Sequence, residues 1–174
     1  MADNSIIIKL REFENSDSSR LAELCNNKNI WNNVRDIFPS PYTLKDAEFF
    51  IGMCNSAHPA TTFAIEFHAE LVGCIGLEMQ TDIHKKSAEL GYWIGEPFWG
   101  KGIASRAVPM MVEYGFQKFG LNRIYAGVYD YNIASCRVLE KSGFELEGIL
   151  RKAVYKNNNF YDEYRFAILK DITK

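Results

Sequence analysis

The amino-acid sequence predicts an α/β fold built on a mixed, mostly antiparallel central sheet flanked by helices. Short segments in which apolar and polar residues alternate predict strands, and longer segments with apolar residues three or four positions apart predict helices. Some neighbouring strands are joined by tight turns and others through a helix, which predicts antiparallel and parallel pairing in one sheet. With 174 residues, 47% of them hydrophobic, the chain is expected to form a single domain over residues 1–174.

The strands are predicted from alternating apolar positions and from the turn residues between them. A turn around His68 joins two such segments into a hairpin, and three asparagines at 157–159 mark the tip of a closing hairpin. In chain order, the predicted strands cover residues 6–10, 62–67, 71–79, 88–95, 121–129, 144–155 and 160–169.

The helices are predicted from apolar spacing and from capping residues. Thr43 and Asp46 have the spacing of a capping box, which predicts a helix start. Asn132 before another helical segment and Gly143 after it are typical start and stop signals. The predicted helices cover residues 18–27, 29–36, 43–54, 103–119 and 133–142. The residues expected to be buried from the third helix are Ala47, Phe50, and Met53 or Cys54.

The bulk composition argues against several functional classes. The formal net charge is −2, and there is no basic cluster of the kind that binds nucleic acid. No apolar run suited to a membrane helix and no signal-peptide pattern are present, so a cytoplasmic protein without membrane contact is expected. The cysteines are far apart, which predicts free thiols rather than metal ligands or disulfides. They are Cys25, Cys54, Cys74 and Cys136.

The segment 89–105 carries the strongest functional signal. An apolar strand leads into a turn with Gly100 and Gly102, and the turn opens into a helix near Ile103. Glycine lets the backbone bend sharply and approach a ligand closely. The unpaired N–H groups and the positive dipole end of a helix N-terminus form a ready site for an anion such as pyrophosphate.

Other interpretations of this turn can be tested on the same residues. A tight strand-to-helix connection without a ligand would account for two glycines equally well. A P-loop requires a hydroxyl residue directly after its lysine, but Gly102 follows Lys101. A dinucleotide-binding fold would place Ser105 at its third glycine position and requires an acidic residue near 119–122, where none is present.

Two segments resemble one known family. Residues 98–104, Phe-Trp-Gly-Lys-Gly-Ile-Ala, are similar to the Tyr-Trp-Gly-Lys-Gly-Tyr-Ala of the RimJ/RimL-type branch of the GNAT N-acetyltransferases. Gly102 and Ala104 match the last two defined positions of the family's acyl-CoA pyrophosphate loop, whereas Trp99 stands where Gln or Arg is usual. Residues 132–144 are similar to the family's Asn-x-x-Ser-x-x-Val-Leu-Glu-Lys-x-Gly-Phe helix. The resemblance covers residues 6–169.

This resemblance implies the GNAT fold and transfer of an acetyl group from acetyl-CoA to a primary amine, by direct attack in a ternary complex and without a metal. It implies that main-chain N–H groups near Trp93 to Gly95 bind the thioester and pantetheine, and that Asn132 bonds the pantetheine amides. Expected cofactor-binding residues are Trp93, Ile94, Gly95, Trp99, Gly100, Lys101, Gly102, Ile103, Ala104, Ser105, Asn132, Arg137 and Lys141.

Two residues are candidates for the chemistry. On an alternating strand Glu89 shares a face with Gly91 and Trp93, and relatives often use a carboxylate on this strand as the base, although a solvated or salt-bridged glutamate would fit the same pattern. Ser135 matches the serine of RimL-like relatives and is expected to stabilise the departing thiolate, unless it only helps to cap the helix. Many relatives have a tyrosine as the acid where this chain has Leu139. Fallback donors are Tyr131 and Tyr155.

The acceptor is the least defined part of this prediction. By analogy with the family, the candidate substrate-binding residues are Trp31, Arg35, Tyr155 and Asp162, whereas Phe38 is expected to pack in the core. The first interpretation of the acceptor is a protein N-terminal α-amine, as in ribosomal-protein acetylation. A small amine or antibiotic is an alternative, as is a CoA-binding module without catalysis. The sequence is also compatible with a homodimer.

Overall fold

The computed structural model describes residues 7–170. Its strands are β1 (Ile8–Arg11), β2 (Thr62–Phe67), β3 (Glu70–Met79), β4 (Ser87–Ile94), β5 (Arg123–Tyr129), β6 (Glu145–Lys156) and β7 (Asn159–Leu169). Its α-helices are α1 (Ser18–Cys25), α2 (Lys28–Trp31), α3 (Leu44–Ser56), α4 (Ile103–Lys118) and α5 (Ile133–Lys141). The strand order within the described residues is β1-β2-β3-β4-β5-β7-β6. β4 and β5 pair in parallel, while β1–β2, β2–β3, β5–β7 and β6–β7 are antiparallel. The predicted mixed, mostly antiparallel sheet is therefore confirmed.

Backbone contacts divide the described chain into two compact units. Unit 1 comprises residues 7–76 and 92–107, and unit 2 comprises residues 77–91 and 108–170. The expectation of a single domain over residues 1–174 stays a prediction.

Unit 1 has an apolar core between its helices and strands. Thr43 starts α3 with the predicted capping box: the Asp46 N–H donates to the Thr43 hydroxyl at 3.3 Å, and the Thr43 N–H donates to the Asp46 carboxylate at 2.7 Å. Phe38 packs against this core and is half-buried, in line with its expected role. The buried members of the core are Phe13, Leu21, Cys25, Tyr42, Ala47, Ile51, Cys54, Ala64, Leu71 and Cys74.

Two details of the helix predictions are wrong. α2 covers only Lys28–Trp31 rather than residues 29–36, because the Asn33 N–H bonds back three residues to Ile30 and the chain continues as turns. On α3 Ala47 and Cys54 are buried as predicted, but the buried face also includes Ile51, and the alternative Met53 is 52% exposed. Residue 6 of the predicted first strand lies outside the described residues.

Unit 2 places alternate residues of β5 on opposite faces of the sheet. Ile124, Ala126 and Val128 are buried, and the odd-numbered residues between them are half-buried. α5 follows β5 and buries Cys136 and Leu139. One face of β5 therefore contributes to an apolar core, and the other presents polar and aromatic side chains.

Candidate functional site

The glycine turn, residues 99–102, connects the end of β4 to α4 by way of a 3₁₀ turn, Glu96–Phe98. Gly100 has a φ of +74° and Gly102 a φ of +72°, a region in which side chains are strained. A Cβ built on Gly100 would meet no atom within 4 Å, so backbone conformation rather than crowding requires glycine there. The turn is exposed and precedes the first residue of α4 directly.

The first turn of α4 contains the other expected phosphate-binding residues. Ile103 is buried and anchors the helix start, while Ala104 and Ser105 are half-buried. The first N–H groups of a helix have no acceptor within the helix, and the dipole favours an anion at this end. The exposed turn and the helix start therefore have the backbone arrangement of an anion site, and their binding of a diphosphate stays a prediction.

Trp99 has a structural role that its residue type did not suggest. Its indole Nε1 donates to the main-chain oxygen of Ile94 at 2.6 Å, while 47% of the residue remains exposed. This bond ties the glycine turn to the end of β4. The Lys101 Nζ lies 5.0 Å from the centroid of the Phe98 ring, in cation–π range. Trp99 therefore holds the turn through its indole N–H, a role separate from any contact with a phosphate.

Not every main-chain amide near the end of β4 is available to a ligand. The Gly95 N–H donates to the Val72 oxygen at 2.8 Å, and the Gly95 oxygen accepts from the Phe98 N–H at 2.9 Å. The Trp93 ring meets the Phe38 ring edge-on at 6.5 Å, and Ile94 is buried. Of the three residues expected to bind the thioester, Gly95 therefore has its polar main-chain atoms engaged within the protein.

Within unit 2, Glu89 lies at the last residue pair of the parallel β4–β5 ladder. That ladder runs from Ser87 opposite Arg123 to Glu89 opposite Tyr125. Burial first, and the charge of Glu89 second, raise the pKa of the Tyr125 phenol. A Cβ on Gly91 would meet no atom within 4 Å, so there is open space beside Glu89 on its face of the strand, as predicted.

Tyr125 is surrounded by charged side chains, and the sequence analysis did not identify these side chains as candidate site residues. The guanidinium carbons of Arg123 and Arg165 lie 5.0 and 4.9 Å from the centroid of the Tyr125 ring. Arg165 also binds Glu163, with its Nε 3.1 Å from Oε1 and a second bond from Nη2 to the same oxygen. Alternation of polar and buried residues along β5 and β7 is the sequence signal that could have placed these groups on the face of Glu89.

Asn132 caps α5 and thereby positions Ser135. Its Oδ1 accepts from the Ser135 N–H at 3.2 Å, and its own N–H donates to the Tyr129 oxygen at 2.8 Å. The cap occupies Oδ1, so Nδ2 is the side-chain atom of Asn132 suited to donate to a pantetheine carbonyl. Because the cap uses the main-chain N–H of Ser135, it does not require the serine hydroxyl.

The remaining residues of α5 and its neighbours differ in their access to a ligand. Leu139, at the family's tyrosine position, is fully buried, whereas Arg137 and Lys141 are exposed. Burial first and the neighbouring phenols second raise the pKa of Tyr131 to about 12, which makes this fallback donor a weaker acid than an ordinary tyrosine. Tyr155 is exposed and its ring lies 4.9 Å from that of Phe160.

The expected acceptor residues fall in both units. In unit 1, Trp31 Nε1 donates to the Phe38 oxygen at 3.1 Å, and Arg35 is exposed. In unit 2, the Asp162 carboxylate accepts from the Lys152 N–H at 2.8 Å. That bond holds Lys152, whose φ is +52°, in the β6 bulge, so Asp162 has a structural function in addition to any contact with an acceptor.

Metal ligation and thiol reactivity both depend on how side chains are grouped and exposed in the part of the chain that the structure describes. Across residues 7–170, no three His, Cys, Asp or Glu side chains form a group able to hold a metal ion. All four cysteines are free and buried. None of the helices formed by these residues has the length and apolar character needed to cross a bilayer.

Comparisons with known proteins agree on one family. The family described as acetyltransferase (GNAT) domain matches residues 8–145. The chain is 32% identical to YnaD of Bacillus subtilis, an uncharacterized N-acetyltransferase, over 93% of each protein. It is 43% identical to the uncharacterized N-acetyltransferase YoaA and 35% identical to the putative ribosomal N-acetyltransferase YdaF, both of Bacillus subtilis. These two matches cover 58% and 60% of the chain, and each covers 56% of the relative.

Solved structures extend the similarity to the fold. The spermidine N-acetyltransferase of Vibrio cholerae, in complex with CoA and spermine, superposes with a TM-score of 0.78 at 29% identity, over 95% of this chain and 96% of that one. The RimL ribosomal L7/L12 α-N-protein acetyltransferase, in complex with coenzyme A, superposes with a TM-score of 0.84 over 96% of each chain. At 24% identity, this second likeness concerns the fold.

Proposed function

The chain belongs to the GNAT acetyltransferase family, and we propose that its acceptor is the α-amine of a protein N-terminus. As a member of that family it is an acetyl-CoA-dependent N-acetyltransferase. One observation carries the proposed acceptor: Lys28 Nζ lies 3.5 Å from the centroid of the Trp31 ring, so a positive charge covers the ring of this expected acceptor residue. A polyamine brings several positive charges to such a surface and is repelled, whereas a peptide N-terminus brings one.

The cosubstrate is bound through its diphosphate at the glycine turn and the first turn of α4. The positive φ of Gly100 and Gly102 and the helix N-terminus that follows support this assignment. The Nδ2 of Asn132 donates to the pantetheine arm, and the exposed Arg137 and Lys141 supply positive charge for the phosphates.

Glu89 removes the proton that the acceptor ammonium must lose before attack. A peptide α-amine has an ordinary pKa of about 7.7–8.0, against about 10.4 for an alkylamine, so a carboxylate base suits the α-amine better. The neutral nitrogen then attacks the thioester carbonyl carbon and forms a tetrahedral oxyanion. Collapse of this intermediate breaks the C–S bond, the nitrogen releases its second proton to solvent, and a neutral amide and the CoA thiolate remain.

Direct attack in a ternary complex is favoured over an acyl-enzyme intermediate. A cysteine nucleophile must be accessible and must ionise. The most exposed cysteine, Cys136, is only 7% exposed, and burial raises the pKa of its thiol. Burial also raises the pKa of Cys54 to about 11 and those of Cys25 and Cys74 further.

The departing thiolate is stabilised by the Ser135 hydroxyl. A thiol has an ordinary pKa of about 8.5, well below that of an aliphatic hydroxyl, so a hydrogen bond to the thiolate is easier to supply than a full proton transfer. Solvent then protonates the released thiolate. The buried Leu139 offers no alternative donor at the family's tyrosine position.

A peptide panel tests this assignment. The protein is incubated with acetyl-CoA and peptides that differ only in their first residue, each beside a copy with a blocked N-terminus and a free lysine. CoA release and the position of the added acetyl group are measured by thiol titration and mass spectrometry. We expect acetylation of the free α-amine and none of the blocked copies.

Other acceptors give distinct outcomes in the same experiment. Similarity to spermidine acetyltransferases over nearly the whole chain makes spermidine the necessary comparison substrate. Faster acetylation of spermidine or of an aminoglycoside than of every peptide would replace the protein acceptor by a small amine. Binding of acetyl-CoA in calorimetry without transfer to any amine would instead indicate a CoA-binding module without catalysis.

A further inference from the structure

Glu96 accepts hydrogen bonds from two asparagines that lie far from it in sequence. Asn27 Nδ2 donates to Oε2 at 2.6 Å, and Asn29 Nδ2 donates to Oε1 at 2.9 Å. Each carboxylate oxygen is therefore engaged by a different residue. Hydrogen bonds to an ionised acceptor are stronger than neutral ones, so this pair forms a firm link across unit 1.

Asn27 connects Glu96 directly to α2. Its Oδ1 accepts from the N–H groups of Asn29 and Ile30 at 2.8 and 3.2 Å, which caps the helix start. One side chain thus binds Glu96 through its nitrogen and α2 through its oxygen. Since α2 ends at Trp31, the first expected acceptor residue lies a single helical turn from the link.

The same part of the chain contacts the end of β4 at two further points. A Cβ on Gly95 would lie 2.8 Å from Leu24 Cδ2, so a larger residue at position 95 would force the Leu24 side chain of α1 to shift. The Phe38 ring meets the Trp93 ring edge-on at 6.5 Å, and the Phe38 oxygen accepts the Trp31 indole N–H. Residues 27–42, here called the acceptor-side segment, are therefore attached to the residues that lead into the glycine turn.

Building on the proposed function, we propose that Glu96 is a positioning residue for the acceptor. It begins the 3₁₀ turn that leads into residues 99–102, and through Asn27 and Asn29 it holds α2 in place. Trp31 and Arg35 thereby keep a constant position relative to the turn that binds the diphosphate. Loss of the link affects the acceptor and spares the cosubstrate, because the main-chain donors of the glycine turn and of α4 remain.

The first test separates acceptor from cosubstrate. In Glu96→Ala we expect the KM for the acceptor to rise about tenfold or more, since two bonds to a charged group are lost, while the Kd for acetyl-CoA in calorimetry changes less than about twofold. Glu48→Gln, on the exposed side of α3, is the matched control and should leave both constants at wild-type values.

A reciprocal pair tests the bond itself. Glu96→Gln places an amide NH₂ against the NH₂ of one asparagine, so two donors face each other. Adding Asn29→Asp restores an acceptor opposite the new donor, and we expect the double variant to recover most of the acceptor KM. A double variant no better than Glu96→Gln alone would overturn the proposal.

Hydrogen exchange gives a readout that needs no acceptor. Without substrates, amides of residues 27–42 should exchange faster in Glu96→Ala than in wild type, and the double variant should return them toward wild-type rates. Peptides from α3 serve as the internal reference. Unchanged exchange, or faster exchange with an unchanged acceptor KM, refutes the positioning role. If the wild-type enzyme acetylates no amine, the proposed function is refuted, and exchange alone decides whether Glu96 holds the segment.

Discussion

The Glu89 carboxylate is the single group on which amine activation depends in this proposal. Glu89→Gln keeps the size of the side chain and removes its ability to take a proton. We expect kcat to fall by about 100-fold or more, as is usual when a general base is lost. The Kd for acetyl-CoA, measured by calorimetry, should change less than about twofold, because the proposed diphosphate site is the glycine turn and does not include Glu89.

A neighbouring carboxylate provides the control for this experiment. Glu78 on β3 is exposed and, like Glu89, acts on the Tyr125 phenol. Glu78→Gln should therefore retain wild-type kcat. Wild-type turnover in Glu89→Gln would exclude the base role and leave Glu89 as a structural partner of Tyr125.

The hydroxyl of Ser135 can be removed without disturbing the start of α5. The Asn132 cap binds the main-chain N–H of Ser135, so Ser135→Ala preserves the start of α5. We expect turnover to drop about tenfold or more, the cost of losing one hydrogen bond to a charged group, while acetyl-CoA still binds. Ser142→Ala, at the far end of the same helix, should leave turnover at the wild-type level. Wild-type turnover in Ser135→Ala would reject the thiolate role.

At the scale of elements, the glycine turn depends on backbone conformation. Gly100 has a φ of +74°, and a side chain there would have open space around it. Gly100→Ala should therefore cost only the conformational strain of about 1–2 kcal/mol, and the distorted turn should weaken acetyl-CoA binding by about 5- to 30-fold. Calorimetry measures this directly.

The control for the turn is a glycine without that constraint. Gly52 lies inside α3, and a Cβ there would meet no atom within 4 Å. Gly52→Ala should leave acetyl-CoA binding unchanged and raise stability slightly, because alanine favours a helix. If the two alanine variants bound the cosubstrate equally well, the turn would have no special role.

The first two strands of unit 1 are linked to Asp17, the residue directly before α1, by a network around Arg11. Its guanidinium donates to Asp17 at 2.7 and 2.8 Å and to Glu66 at 2.7 Å. Burial on its own would raise the pKa of Asp17, but the bonds from Arg11 and from the Glu14 N–H outweigh burial and hold the pKa below its ordinary value. Asp17 therefore links these elements, and its contribution to the free energy of unfolding depends on pH in a defined direction.

Strong acid should weaken this network, because it protonates Asp17. A lowered pKa means that the stabilisation is complete above the ordinary carboxyl pKa of about 3.9 and is lost as the pH falls through the folded-state value. Asp17→Asn should lower the free energy of unfolding at pH 7 by about 2 kcal/mol and remove this part of the acid dependence. Urea unfolding at several pH values measures both effects.

An exposed ion pair serves as the comparison for Asp17. Arg20 and Glu23 pair at 2.8 Å on α1, and the Glu23 side chain is 69% exposed. Glu23→Gln should change stability by less than about 0.5 kcal/mol, because solvent screens such pairs. Equal changes in the free energy of unfolding for the two substitutions would show that the Arg11 network stabilises the protein no more than an exposed ion pair.

For the whole molecule, acetyl-CoA should act as a stabilising ligand. A ligand that binds only the folded state adds about 2.7 kcal/mol at 100 times its Kd. For a chain of this size that corresponds to a rise in Tm of about 5–11 °C. Acetyl-pantetheine, which lacks the diphosphate, should produce a much smaller shift at the same concentration. Equal shifts would mean that the glycine turn does not hold the cosubstrate.

Most of the fold was predictable because its signals lie close together in the sequence. Alternation gave β2 within its observed bounds, and the Thr43–Asp46 capping box placed the start of α3. The prediction for α2 was wrong because Asn27 caps the helix early and the chain leaves helical geometry after Trp31. The bounds of α2 depend on these hydrogen bonds, and the spacing of apolar residues does not predict them.

The order of residues along the chain was sufficient to identify the strands, the glycine turn and the family, because each rests on neighbours a few positions apart. Folding decided which distant atoms meet. It gave Trp99 a structural bond to Ile94, engaged the Gly95 amide with Val72 and brought Asn27 and Asn29 to Glu96. Such contacts depend on packing and side-chain direction in three dimensions, and these are not encoded in any local pattern.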